Sequence, residues 1–240
     1  MIKTLLSILI WPIALVSFVI GAFIYTISLL ILKPNKLHPL AKTISRIIMF
    51  ASAQWFSVKG QLPEEKNGPY LYLINHSSLF DAFMIIGAVS HYCTGVGAKF
   101  QFSYPIWGYL AKRYGVIPIE RTKIKSAIGS LNKLELAIKN GTSAMISPEG
   151  TRSLDGKLGK FKKGAFHVAK NTGVTIIPVG LLGAYNAKNI NDWRISPGSL
   201  ITVFGDPIYK SEYETLDVSE LSSVVQTKIS ELIDLSLIHI

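Results

Sequence analysis

Residues 5–32 (LLSILIWPIALVSFVIGAFIYTISLLIL) carry no charged side chain across 28 positions. No other feature limits the fold as strongly, because a run of this kind must be buried in protein or in lipid. As one continuous helix it would be roughly 42 Å long, against about 30 Å of bilayer hydrocarbon. Pro12 and Gly21 offer places to bend or break it. A helix buried in a soluble core is rarely apolar on all sides for such a length. A cleaved secretory signal is the other reading. Lys3 supplies only a weak basic start, the run overruns the usual apolar stretch of about 7–15 residues, and no A-x-A site follows. The expectation is a retained membrane helix over 5–32, either spanning the bilayer or re-entrant.

Charge sharpens this. Residues 1–60 hold six Lys and Arg and no Asp or Glu, within a chain of 240 residues and net charge +10. The stretch LHPLAKTISRIIMFASAQWFSV sets Ile44, Ile47, Ile48 and Phe50 among Lys42, Arg46 and serines. That pattern predicts a basic amphipathic helix over about 38–56, suited to the interface of an anionic membrane. The positive-inside bias puts the chain beyond residue 32 on the cytoplasmic face of a cell inner membrane or plasma membrane. A mean hydropathy of +0.35 and the lack of interleaved aromatic and basic residues argue against nucleic acid as the partner. The single cysteine, Cys93, excludes an intrachain disulfide and reads as a core residue.

After Gly60 short apolar runs alternate with helical stretches. Strands are expected at 70–74, 93–98, 116–119, 143–147, 175–181 and 200–204, with helices at 79–90, 104–113, 123–140, 161–172 and 218–236. Such alternation predicts an α/β fold, a central mostly parallel or mixed sheet flanked by helices, preceded by the N-terminal membrane-associated helical region. The turn-rich segment 63–69 suggests two units: a membrane anchor over 1–60 and a cytoplasmic-face α/β domain over 61–240.

The run YLYL at 70–73 opens into INHSSLFDAF at 74–83, where Asn75, His76, two serines and Asp81 crowd the end of a strand. Ser78 and Asp81 fit the S-x-x-[DE] capping box, so Asp81 has a structural reading as well as a chemical one. Five residues on a helix rotate by roughly 140°, so His76 and Asp81 meet only if His76 lies in the turn and Asp81 in the first helical turn. Asp81 would then fix the imidazole tautomer and leave the other ring nitrogen free to take a proton from a hydroxyl. Asn75 or backbone amides near the turn are candidates to stabilise an oxyanion. No G-x-S-x-G nucleophile elbow occurs, and His38, His91, His167 and His239 lack metal-ligand spacing. A base without a nucleophile points to direct attack of a substrate hydroxyl on an activated acyl group.

Three further motifs follow in order: VGAKFQFSYPIWGYLAKRYGVIPIER at 96–121, ISPEGTRS at 146–153 and VTIIPVGLLGA at 174–184. With NHSSLFD they resemble the four blocks of the glycerolipid acyltransferase family that carries the HxxxxD motif. The resemblance is greatest to bacterial 1-acyl-sn-glycerol-3-phosphate (lysophosphatidate) acyltransferases and covers about residues 55–205. It implies His76 as general base and Asp81 as its orienting partner. It implies Lys99 and Arg121 as the grip on the acceptor phosphate, as suits a planar guanidinium and an ammonium point charge. Glu149, Gly150 and Thr151 would shape the acceptor site, Arg152 would add charge, and Pro178 would sit near the acyl or thioester end. Lys157, Lys160, Lys162 and Lys163 would attract the anionic acceptor, an acidic acyl carrier protein or anionic headgroups. Two departures, Gln101 where the family often has Glu and Ser147 where it often has Phe, bear on the identity of the acceptor.

The expected activity is transfer of a fatty acyl group from an acyl thioester to the sn-2 hydroxyl of lysophosphatidic acid, giving phosphatidic acid. Acyl-CoA or acyl-ACP is the expected co-substrate, with no bound cofactor and no metal. Another lysophospholipid or lyso-ornithine lipid is the alternative acceptor. A non-enzymatic membrane-binding protein is the remaining reading, and it does not account for four ordered motifs.

Overall fold

Strand alternation decides what each face of the sheet buries. In a computed structural model, which describes residues 1–237, Tyr70–Ile74 is β2 and all five of its residues are buried. Leu71 and Leu73 point to one face and Tyr70, Tyr72 and Ile74 to the other, as the two-residue period of a strand requires. The remaining strands are β1 (Gln54–Lys59), β3 (Cys93–Ala98), β4 (Ile117–Ile119), β5 (Ser143–Ile146), β6 (Thr175–Leu182) and β7 (Gly198–Phe204). They form one mixed sheet in the order β1-β7-β6-β2-β5-β3-β4. Every pairing is parallel except β6 with β7.

Helices cover both faces. On one side α5 (Ile124–Lys139), α6 (Gly164–Thr172) and α9 (Val218–Leu237) bury Leu134, Phe166, Leu221, Val225 and Ile229 against Leu71, Leu73 and Ile176. On the other, α2 (His38–Ala51) and α3 (Asp81–Ala88) bury Met49, Met84 and Ile85 against Tyr72, Ile177, Val179 and Phe204. Leu71, Leu73, Met84 and Phe166 are fully inaccessible to solvent, each contributing on the order of 2 kcal/mol of apolar transfer. The shorter helices are α4 (Pro105–Tyr114), α7 (Ala184–Ala187) and α8 (Lys210–Tyr213).

The apolar N-terminal run forms α1 (Ile2–Ser28). It begins three residues before the uncharged run and ends before its last four residues, and Pro12 lies inside it without ending it. Outward-facing Leu5, Leu9, Val16, Ile20, Phe23 and Ile27 are exposed. The opposite face lies along the domain. Lys3 bridges Asp192, Phe18 meets Trp107 of α4 with ring centroids 6.4 Å apart, and Tyr25 packs on Tyr114 at 6.5 Å.

The amphipathic helix departs from expectation in its extent. It stops at Ala51, and Gln54–Lys59 is the edge strand β1, in parallel register with β7 from Gln54↔Gly198 to Lys59↔Val203. Ala53 takes a positive φ of 57° between them, turning the chain from helix to strand. The helix of 79–90 is also shorter, Asp81–Ala88. His239 lies outside the described residues.

Candidate active site

Parallel pairing gathers the carboxyl ends of β2 to β6 along one edge, where open α/β sheets hold their ligands. His76 follows β2, Lys99 follows β3, Arg121 follows β4 and Glu149–Arg152 follow β5, so four distant segments meet.

The turn after β2 is organised by one carboxylate. Asp81, buried at the start of α3, accepts with Oδ2 from His76 Nδ1 at 2.7 Å and from the amides of Ser77 and Ser78 at 2.7 and 2.8 Å. His76 thus lies in the turn and Asp81 in the helix, as the five-residue spacing requires. With Nδ1–H donated to Asp81, the lone pair of Nε2 is available, and Nε2 has no hydrogen-bond partner among the described residues. The imidazole is 23% exposed, so a substrate can reach it. The capping box is half formed. Asp81 accepts from the Ser78 amide, while Ser78 Oγ accepts from Phe80 N at 3.2 Å and donates to Lys188 O at 2.6 Å.

Glu149 braces the same turn from beneath. Its Oε1 accepts from the His76 amide at 2.7 Å and its Oε2 from the Gly159 amide at 2.9 Å. Burial pushes its carboxyl pKa up, and the two amide hydrogen bonds offset this only in part. The His76 carbonyl in turn accepts from Ser153 N at 2.8 Å, so the 149–153 loop holds both sides of the His76 backbone. Gly150 has φ +71°, in the left-handed region, and a Cβ there would lie 3.0 Å from Lys162 Cδ. Thr151 is exposed at the tip of this loop.

Cations border the turn. Arg121 is exposed, yet protein crowding first and the charge of Arg152 second lower its pKa. Neither arginine has an acid partner among the described residues, which leaves a concentration of positive charge suited to a phosphate. Lys99 is near but engaged: Nζ bridges Glu120 Oε2 at 3.0 Å, and Lys123 meets the other oxygen at 3.3 Å. An exposed pair of this kind is worth little and opens easily.

Two expected positions differ in what they touch. Pro178 is buried inside β6 beside Leu73, three residues short of the strand's contact with Asn75. Its missing N–H falls on the β7 side, where pairing is interrupted between Ile176↔Ile208 and Val179↔Phe204 and Gly205 N donates to Pro178 O. Asn75 spends its amide on the main chain of Leu181, donating to O at 2.9 Å and accepting from N at 2.6 Å. It ties the turn to β6. Lys188, which no motif marked, joins the cationic border: partial burial and then the Arg152 charge lower its pKa. The sequence offered no signal for it, because a lone lysine in a loop is unremarkable until the fold sets it beside Ser78. Among the described residues no three His, Cys, Asp or Glu side chains cluster as metal ligands.

A family model described as Acyltransferase matches residues 56–182. Among similar proteins, a 1-acyl-sn-glycerol-3-phosphate acyltransferase of Haemophilus influenzae is 30% identical over 196 residues, covering 75% of this chain and 81% of that one. One of Escherichia coli is 34% identical over 173 residues, covering 70% of each. A chloroplastic one of Arabidopsis thaliana is 32% identical over 170 residues, 70% of this chain and 46% of that protein. The chain spans about half the length of the plant relatives that it matches, such as this one. The crystal structure of a 1-acyl-sn-glycerophosphate (LPA) acyltransferase from Thermotoga maritima superposes with a TM-score of 0.81 at 23% identity, covering 95% of this chain and 93% of that one. The fold is therefore shared over 95% of the chain, the motifs fall at the carboxyl edge of the sheet, and this chain belongs to the acyltransferase family.

Proposed function

We propose that this protein moves a fatty acyl group from an acyl thioester to the sn-2 hydroxyl of lysophosphatidic acid, giving phosphatidic acid for phospholipid synthesis. The observation that carries this reading is the oriented His76–Asp81 pair with its Nε2 open, together with the unpaired Arg121 and Arg152, the latter next to Ser153, whose amide bonds the His76 carbonyl. His76 Nε2 takes the proton of the acceptor hydroxyl as that oxygen attacks the thioester carbonyl. The tetrahedral intermediate collapses with cleavage of the C–S bond, and the imidazolium returns its proton to the departing thiolate. Asp81 holds the tautomer throughout and stabilises the imidazolium. Arg121 and Arg152 hold the acceptor phosphate, with Lys99 released from Glu120 to join them. Glu149 and Gly150 fix the backbone beneath the base, Thr151 borders the acceptor, and Pro178 acts by keeping β6 in register under the turn. Acyl-CoA or acyl-ACP serves as co-substrate, and the step asks for no resident cofactor.

The exposed face of α1 and the basic α2 favour a home at the cytoplasmic face of the inner or plasma membrane, with α1 and α2 as the anchor and the α/β unit beginning at β1 rather than after residue 60. Contacts at the start, middle and end of α1 hold it alongside the domain, which favours an in-plane or re-entrant placement over a full crossing.

Purified His76→Ala in mixed micelles should lose acyl transfer by roughly 10²–10⁴-fold; near wild-type turnover would remove the mechanism. A panel of lysolipids as acceptors decides the substrate. Preference for lysophosphatidic acid that disappears in Arg121→Ala supports the phosphate grip, whereas equal use of lyso-ornithine lipid by the wild type would point to the alternative acceptor.

A further inference from the structure

Near the start of α1, Lys3, Ser7 and Trp11 stand at four-residue steps. Four residues advance a helix by roughly one turn, so all three share one stripe. The stripe meets a single loop. Lys3 Nζ bridges Asp192 Oδ2 at 3.0 Å. Ser7, fully buried, accepts from Ile195 N at 3.0 Å and has Ile195 O within 3.2 Å. Trp11 Nε1 donates to Trp193 O at 2.9 Å. An anchor that only dissolved in lipid would have no use for a buried serine bonded to residues 188 positions away.

The loop is stiff between its ends. Ser196 N donates to Ala187 O at 2.9 Å and closes its base. Asp192 accepts from the amide of Arg194 and from two nitrogens of its guanidinium. At the other end Lys188 O takes the hydroxyl of Ser78 at 2.6 Å. Ser78 belongs to the turn whose amides, with the imidazole of His76, converge on Asp81. The internal bonds of the turn run to Asp81 and Glu149, and Ser78 is its side-chain tie to the 188–196 loop.

We propose that the Lys3–Ser7–Trp11 stripe of α1 is a positioning element for the His76 turn, acting through the 188–196 loop and Ser78. It rests on the reading of that turn as the site of acyl transfer. Docking of α1 on the loop holds Lys188 O where Ser78 needs it, which keeps the Asp81 carboxylate and the imidazole in line. Catalysis is steep in such alignment, so small slack in the turn lowers turnover more than binding.

Two variants isolate the stripe without touching the outward apolar face: Ser7→Ala, and Trp11→Phe, which keeps a large ring and removes the N–H. Each is compared, full length and membrane-reconstituted, for hydrogen exchange of the 74–84 segment, vesicle partition, and kcat and acceptor KM. The expected result is faster exchange at residues 77–78, partition unchanged, and kcat down by about three- to tenfold with KM little altered. Ser7→Thr, which restores the hydroxyl, should return both exchange and kcat. Unchanged exchange in 74–84 overturns the relay. A loss of turnover that follows loss of partition overturns it equally, leaving α1 an anchor alone. Faster exchange with full turnover would instead strike at the catalytic reading of the turn. If Ser7→Ala does not fold, Trp11→Phe carries the test.

Discussion

At the scale of single residues the His76 turn works by tying its backbone amides to two carboxylates, Asp81 and Glu149, while His76 Nε2 stays open. Glu149 is the most consequential, since its two oxygens tie the His76 amide to the Gly159 amide. Folding raises its pKa through burial. The native state therefore holds the Glu149 proton more tightly than the unfolded chain. The stability from this group is complete below the ordinary glutamate range and is lost as pH rises through the raised native value. Glu149→Gln removes that dependence. In urea unfolding over a pH series, the stability of the wild type relative to the variant should fall as pH climbs through this window, and a constant difference would show that burial of the charge carries no cost. Gly150, at φ +71°, makes a second case. Gly150→Ala should cost about 1–2 kcal/mol of unfolding free energy, because the left-handed conformation opposes any Cβ. The His76–Asp81 pair was legible in the sequence because its spacing admits one geometry. The brace from Glu149 was not. A carboxylate 73 residues away declares nothing about which amides it will accept, and the PEG motif marked the residue without its partners.

At the scale of elements, the strands inside the sheet were readable, and so was the short edge strand β4, whose apolar run stands out between turns. The run YLYLI is buried on both faces, so hydrophobicity alone outlined β2. Gln54–Lys59 escaped because β1 is an edge strand whose Trp55, Ser57 and Lys59 are solvent-facing, and it follows a helix after only two residues. Helical periodicity in 38–51 then ran on by inertia into residues that pair with β7, a partner more than 140 positions later. In the sequence Gly21 offers α1 a place to bend, and in the fold its use is different. A Cβ there would stand 2.6 Å from Ile44 Cγ2 of α2, so the absence of a side chain lets the two helices cross closely. Gly21→Val should therefore lower the thermal midpoint, with an overpacking cost of about 1–3 kcal/mol. Ile44→Ala in the same chain should recover part of it. A double-mutant cycle on detergent-solubilised protein measures the coupling, and simple additivity would mean that the crossing is not what Gly21 serves.

For the whole molecule, the proposed membrane placement asks how a domain with net charge +10 and an apolar helix along one flank would meet a bilayer. Two attractions of different range are built in. The basic excess of residues 1–60 acts over a Debye length, about 10 Å at 0.1 M salt and about 3 Å at 1 M. The exposed face of α1, with Leu5, Leu9, Val16, Ile20 and Phe23, acts only on contact and is insensitive to screening. Binding to vesicles should therefore have two parts separable by salt. In sedimentation with anionic vesicles, partition should weaken as ionic strength rises from 0.05 to roughly 0.5 M and level off at a residue equal to that on neutral vesicles. Replacing Leu9, Val16 and Ile20 by serine should remove the salt-resistant part and leave the salt-sensitive part. Replacing Lys33, Lys36 and Lys42 by glutamine should do the reverse. Both parts falling together in either variant would mean that the helix and the charge form one inseparable surface. If they do separate, the polar stripe on the inner face of α1 is free to serve the His76 turn while the outer face serves the lipid, since no residue is asked to do both.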